Sequence, residues 1–313
     1  MNKQTLHITN GGNLTTYLND LKIEGEKLTW QEILCEGPTQ EIIHCNDFIQ
    51  ARSQFLLEFY NVELDFNKVE FALKQLSAID DYSEIVLWFE YDLFCHINML
   101  AVINLLLQKK INLPLYLVCS GRVHGSKNLK GLNELNTKQL LDHYKNKIKL
   151  NQEDIDLAAT IWGIYCGKDH NLLKPFIVKS SSFQYLSNCL KAHLERFPDS
   201  ITGLNVLETN ILKIIKENEV KSKHHLLGYA LNYQGYYGFG DMQINRIIEK
   251  LNYFFDENES GLKLNRAGHE ALLNQKNFSK IIQTHMVYGG VSTQNFSFSK
   301  EQNKLIKNIT NAY

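Results

Sequence analysis

The stretch Val86-Leu87-Trp88-Phe89-Glu90-Tyr91-Asp92-Leu93-Phe94-Cys95-His96 constrains the fold more than any other part of the chain. An apolar run over 85–89 has the length of a strand and no polar face, so it needs cover on both sides, as strands of parallel sheets do. Acidic residues end the run, and an apolar helix over 92–109 starts straight after them. Asp92 stands where a helix N-terminus favours a carboxylate cap. The segment 97–107 is about half a membrane span and carries Asn98 and Asn104, so it reads as a buried helix of a soluble protein.

Strands are expected over 5–9, 27–30, 85–89 and 115–119, separated by helices over 13–21, 47–60, 67–79 and 92–109. Helices of that length between strands imply crossovers and a parallel sheet covered on both faces. The expected fold class is α/β: an N-terminal Rossmann-like parallel sheet, then a helical region, then a winged-helix-like C-terminal unit. Helical patterns over 137–147, 152–166, 170–179 and 182–196 form the middle region, which Phe197-Pro198-Asp199-Ser200 closes. Helices over 206–217, 222–233 and 241–254 and a strand over 261–265 then follow in the order of a winged helix. Residues 285–309 read as a hairpin. The length of 313 residues gives room for roughly two domains, and the expected divisions are 1–125, 126–200 and 201–313.

Composition narrows the partners. A hydrophobic content of 44% and a charged content of 21% are ordinary for a soluble globular protein. The first residues lack the apolar region of a signal peptide, and the six cysteines are scattered without a Cys-x-x-Cys pair. Reduced thiols in a cytoplasmic protein, no membrane and no zinc cluster are therefore expected. Residues 1–120 carry 8 basic and 16 acidic side chains, a balance of −8, in a chain whose net charge is −1. The acidic front argues against nucleic acid. The basic residues behind it are dispersed, which suits an interface with the acidic part better than a nucleic-acid groove.

Four loops at strand ends carry the candidate chemistry. Asn10-Gly11-Gly12 follows the first strand, where glycines allow a phosphate to approach a helix N-terminus; an unliganded tight turn fits equally well. The spacing matches neither a dinucleotide fingerprint nor a P-loop. Gly37-Pro38 follows the second strand. Arg52, the one arginine in the first 120 residues, reads either as a clamp for a phosphate or carboxylate or as a structural salt bridge to a rim carboxylate. Glu90, Asp92 and His96 could form an acid/base pair or a ligand set for Mg²⁺ or a transition metal, against a plain capping role for Asp92 with His96 bonded to it. Arg122 and His124 follow the fourth strand on the same rim if the strands are parallel. No nucleophile–base arrangement is legible, so the sequence does not decide whether the chain is an enzyme, and it leaves any cofactor unknown.

Leu6-His7-Ile8-Thr9-Asn10-Gly11, Trp30-Gln31-Glu32-Ile33-Leu34 with Gly37-Pro38, and Leu87-Trp88-Phe89-Glu90-Tyr91-Asp92-Leu93-Phe94 occur in that order. They resemble the uncharacterised bacterial family catalogued as domain of unknown function 1835. Gly203-Leu204-Asn205-Val206-Leu207-Glu208, Gly240-Asp241-Met242-Gln243 and Tyr288-Gly289-Gly290-Val291 resemble the C-terminal region often joined to it. The chain departs from the family at His96, where members often carry Gln. The resemblance implies an architecture and a site, and leaves the reaction open.

The candidate ligand-binding residues are then His7, Asn10, Gly11, Gly37, Arg52, Glu90, Asp92, His96 and Arg122. The expected function is binding of a small anionic or nucleotide-like ligand at the C-terminal rim of the N-terminal sheet. Two alternatives stand beside it. One is a ligand-responsive transcription regulator that uses a winged helix on DNA, and the other a non-catalytic interaction protein. Residues 203–273 hold 8 basic against 9 acidic groups, which favours a packing or homo-oligomerisation module over a DNA reader.

Overall fold

The computed structural model describes residues 3–77, 79–282 and 285–308; the first two residues and the expected end of the hairpin at Ile309 lie outside them. The central strand forms where the apolar run demands it. β4 (Tyr82–Phe89) has Ile85, Val86, Leu87, Trp88 and Phe89 all 0% exposed. Its neighbours are β1 (Gln4–Asn10) on one side and β5 (Leu115–Cys119) on the other, both parallel to it. β2 (Glu26–Trp30) pairs parallel to the outer side of β1. The expected parallel sheet is therefore present. The sequence pattern does not announce its fifth strand: an exposed two-residue edge, Ile148–Lys149, lies antiparallel to β5. With Gly37–Pro38 as β3 and that edge as β6, the sheet order is β2-β1-β4-β5-β6.

Helices cover both faces. α1 (Gly12–Asp20) and α5 (Thr137–Lys145) pack Leu14, Leu18 and Leu140 against Val86, Trp88 and Val118 on one face. The opposite face, carrying Leu6, Ile8, Leu28, Trp30, Ile85 and Leu87, meets α3 (Phe66–Ser77) and α4 (Leu93–Gln108), and α6 (Gln152–Cys166) packs on α4. α2 (Asn46–Tyr60) lies between β3 and α3 in the chain. α4 is apolar all round because it is buried nearly all round, and each of its leucines and isoleucines except the exposed Leu107 contributes about 1.5–3 kcal/mol by leaving water.

The expected helix over 170–179 is a 3₁₀ turn (His170–Leu173) followed by the short α7 (Lys174–Ile177), and α8 (Leu186–Glu195) begins four residues after its expected start. α9 (Val206–Glu217), α10 (Lys223–Tyr233) and α11 (Asp241–Lys250) come next, with a 3₁₀ turn at Leu251–Phe254 where a continuing helix is expected. The strand expected near 261 is one arm of an antiparallel hairpin, β7 (Phe255–Asn258) with β8 (Gly261–Leu264), before α12 (Arg266–Leu272). Apolar residues of α8, α9 and α11 belong to the same continuous cluster as the α4 face of the sheet.

The chain ends in small antiparallel strands. β9 (Val287–Gly289) pairs with β10 (Val291–Ser292), and β11 (Phe296–Ser299) pairs with β12 (Lys304–Lys307) as the expected hairpin. β9 also runs parallel to β3, placing Tyr288 opposite Gly37. Gly289 adopts φ +60° there, and a Cβ would lie 2.0 Å from the carbonyl oxygen of Tyr165, so only glycine lets β9 approach the end of α6. All six cysteines are free. Among the described residues no helix is long and apolar enough to cross a membrane.

Candidate functional site

The strand order reverses between β1 and β4: the chain leaves β1 for β2 on one side and returns to β4 on the other. In open α/β sheets the C-terminal ends flanking such a reversal form the ligand crevice. Here they carry Asn10 and Glu90-Tyr91-Asp92, which the fold brings together. Asn10 Nδ2 donates to Cys95 Sγ at 3.1 Å, and Asn98 Nδ2 donates to Asn10 Oδ1 at 2.9 Å. Asn98 also donates to the carbonyl of Glu32 and accepts from Leu34 N–H, so one α4 side chain ties the loops after β1 and β2.

Asp92 performs the capping role, its Oδ1 accepting from Cys95 N–H at 2.8 Å. Glu90 Oε1 accepts from Leu132 N–H at 2.7 Å. Burial, then the neighbouring Asp92 charge, pushes the Glu90 carboxyl up to about 7. Burial raises Asp92 as well, and it pushes the Cys95 thiol up, so the sulfur stays protonated at neutral pH. Ligand atoms of Glu90, Asp92 and Cys95 lie within 4.8 Å of one another, the one such group among the described residues. A neutral thiol beside two engaged carboxyls is a poor cation cage.

His96 stands apart from that group. Its Nδ1 donates to the carbonyl of Asp92 at 2.9 Å, leaving Nε2 as a buried acceptor with no partner among the described residues. Burial lowers its pKa to about 4, so it offers no positive charge to an anion.

The helix N-termini at this crevice are treated differently. The first amides of α4 are taken: Leu93 N–H donates to Tyr236 O at 2.7 Å, Phe94 N–H to Tyr237 O at 3.2 Å, and Cys95 N–H to Asp92. Gly238, at φ +68°, lies so close that a Cβ would sit 2.1 Å from Asp92 Cγ. The loop between α10 and α11 therefore closes the α4 end of the rim. α1 has no such cover. Gly11 precedes it at φ +96° with no described atom within 4 Å of a Cβ position, and no described side chain caps the helix. Its first turn carries no acidic residue.

The remaining candidates are dispersed. His7 lies inside β1, three residues before the rim, accepting at Nδ1 from Trp88 Nε1 at 3.0 Å and donating from Nε2 to Glu24 O at 2.9 Å. Burial lowers its pKa to about 4. Among the described residues Arg52 has no carboxylate partner, and its terminal nitrogens are engaged inside the protein. Its guanidinium donates to the carbonyls of Ile33, Glu36 and Pro38, bracing the loop after β2 from within. Gly37, at φ +83°, is part of the same brace, since a Cβ would lie 2.5 Å from Arg52 Nη1. Arg122 is exposed after β5, its backbone N–H donating to Tyr185 Oη at 2.8 Å.

A buried ionic cluster lies behind the rim, and sequence reasoning misses it. Arg196 is 1% exposed, stacks 3.7 Å above the Tyr288 ring, and has no carboxylate partner among the described residues. It donates to His193 Nδ1; His193 Nε2 then donates to His170 Nδ1, and His170 Nε2 donates to Tyr165 O. Each acceptor fixes the next ring's tautomer, so the relay runs in one direction. Beside it Arg246 pairs with Glu36 and Lys250 with Glu208, both at 2.6 Å, around a cavity of about 10 Å³, roughly the room of one water. Glu36, Glu208 and Tyr288 lie in or beside the motifs quoted above. The available signal was charge on otherwise apolar helix faces, as at Arg246 between Ile244 and Ile247.

Compared with known proteins, the chain matches no protein-family model and no curated protein.

Proposed function

We propose that the chain binds a small anionic, nucleotide-like ligand at the C-terminal rim of its N-terminal sheet, with the anionic group at the start of α1. The observation that carries this reading is the unequal treatment of the two helices at the strand-order reversal. α4 has its first amides filled by Tyr236, Tyr237 and Asp92, whereas the α1 amides that follow Gly11, whose own N–H donates to Trp30 O, have no capping side chain among the described residues. Free amides and the helix dipole together attract an anion. Asn10 and Asn98 hold the adjoining loops in register, so the loop needs no rearrangement on binding. The resemblance to domain of unknown function 1835 is consistent with a Rossmann-like sheet over 1–125, a helical region over 126–200 and a separate C-terminal unit, in a cytoplasmic protein.

The order α9, α10, α11, hairpin and α12 supports a winged-helix-like reading of the C-terminal unit, used for packing. Arg246 and Lys250, basic residues that a DNA-reading α11 would present, are held in ion pairs with Glu36 and Glu208. The outward positions of α11 include Asp241 and Glu249. That is the wrong sign for a phosphate backbone.

The test is a thermal-shift series with inorganic phosphate, pyrophosphate and AMP on the wild type and on Asn13→Asp. Asn13 is exposed in the first turn of α1, where an added carboxylate favours the helix and repels an anion. The expected result is a rise in Tm with at least one of the three probes, lost in the variant although the variant is no less stable. No rise with any of them, or a rise that survives Asn13→Asp, overturns the assignment.

A further inference from the structure

The face of the sheet opposite α1 carries a second opening at the rim, a cavity of about 190 Å³ at the C-terminal end of β2, between α2 and α3. An apolar cavity of about 150 Å³ admits a benzene ring, so this one has room for a small planar heterocycle. Ile33, Leu56 and Leu64 supply apolar wall.

Its polar groups are unpaired in a way that buried groups seldom are. Trp30 is 3% exposed, yet its Nε1–H has no partner among the described residues, and neither has Nδ1 of His44, whose side chain is 4% exposed. Both residues line the cavity, with ring centroids 5.6 Å apart. His44 Nε2 faces Glu32 Oε1 at 3.4 Å, and because the carboxylate must accept, Nε2 carries a proton; a ring with that one proton offers Nδ1 as an acceptor. His44 is held at φ +60°, a conformation that costs a non-glycine residue energy. An indole donor and an imidazole nitrogen, both buried and unpaired among the described residues, thus sit on neighbouring rings in the cavity wall. Two carboxylates, Glu32 and Glu63, line the same cavity and weigh against an anion.

We infer that this cavity is a binding site for a small neutral or cationic planar heterocycle carrying a hydrogen-bond acceptor next to an amino or amide donor. The acceptor takes the Trp30 indole N–H, and the donor is received by His44 Nδ1. The site is distinct from the proposed anion site: the two lie on opposite faces of the sheet and select opposite charge.

Adenine is a suitable probe, with AMP as the anionic control and benzene as the apolar one. In the ¹⁵N-labelled full chain each of the three tryptophans gives an indole N–H signal, and Trp30→Phe identifies that of Trp30. Adenine is expected to move the Trp30 signal and leave in place those of Trp88, which donates to His7, and Trp162, which donates to Glu41 O. AMP bound only at α1 leaves the Trp30 signal still. Trp30→Phe keeps an aromatic ring, and His44→Asn suits the left-handed backbone. Each should weaken adenine binding by about tenfold in calorimetry, the worth of one hydrogen bond. A Trp30 signal unmoved by millimolar adenine, adenine affinity unchanged in both folded variants, or benzene binding as tightly as adenine overturns the inference.

Discussion

Arg246 of α11 donates through Nη2 to Glu36 Oε1 at 2.6 Å, joining residues 210 positions apart in the chain. Glu36 is 1% exposed, and its other oxygen accepts from the Tyr60 hydroxyl. The loop after β2, which β3 pairs with the C-terminal β9, is thus locked from both the C-terminal helices and the C-terminal strands. Burial, then the Glu36 charge, raises the Tyr60 hydroxyl's pKa, and the Glu36 charge raises that of the Arg246 guanidinium against its burial, so at neutral pH the phenol donates and the arginine stays charged.

Removing Arg246 should therefore be costly out of proportion to the bond. Arg246→Met leaves a buried carboxylate with one neutral donor, for an expected loss of about 2–4 kcal/mol in urea unfolding. Glu36→Gln in the same chain removes that stranded charge, so the double variant should recover about 1 kcal/mol. Additive losses would mean that the pair is not coupled in the folded state.

The buried ionisable groups give stability an unusual dependence on pH. Glu90 is raised from 4.5 to about 7, so its folded state favours the protonated carboxyl. Its contribution is fully present below pH 4.5 and is lost as pH rises through 7. His7, His96 and His170 are each lowered from 6.5 to about 4, so what they contribute is present above pH 6.5 and lost as pH falls through 4. Burial lowers His193 in the same direction and raises Asp92 and Glu195 in the opposite one, so the lowered histidines still outnumber the raised carboxyls and wild-type stability should climb from pH 4 to 6.5. Glu90→Gln keeps an oxygen for Leu132 N–H without the charge. Its advantage over wild type should be near zero at pH 4 and about 2 kcal/mol at pH 8, after allowing for partial solvation. Denaturant titrations at the two pH values check this, and an equal effect at both would remove Glu90 as the source.

Local signals carried most of the elements. β5, α6 and α9 occupy the residues expected of them, because strand length, helical period and caps such as Asn151 and Asn205 are written within a few residues. Asp92 was legible for the same reason. What escaped depends on distance or on backbone. The edge at Ile148–Lys149 has no apolar pattern to announce it, and the β3–β9 pairing joins Gly37 to a residue near the other end of the chain. Arg52 was legible as unusual in an acidic segment, yet its partners are carbonyls, which every residue has. Arg196 is similar, with its one-way histidine relay spread over three elements. His96 looked like a partner for the Asp92 carboxylate at helical spacing; it bonds the Asp92 backbone instead, since the carboxylate is occupied by the cap.

The loop that covers α4 offers the last prediction. Gly238 has a positive φ, and any side chain there meets Asp92 within 2.1–2.7 Å, so Gly238→Ala must displace either the loop or the cap. Displacing the loop frees the amides of Leu93 and Phe94, and displacing the cap frees that of Cys95. A loss of roughly 2 kcal/mol or more is expected, above the ~1 kcal/mol typical of a lost cap alone. Hydrogen exchange distinguishes the two responses. Faster exchange at Leu93 and Phe94 with Cys95 still protected means that the loop has lifted, which would open the α4 N-terminus to anions as α1 already is. Phosphate should then stabilise Gly238→Ala more than the wild type. Unchanged exchange at all three amides would show that the loop does not close this end of the rim.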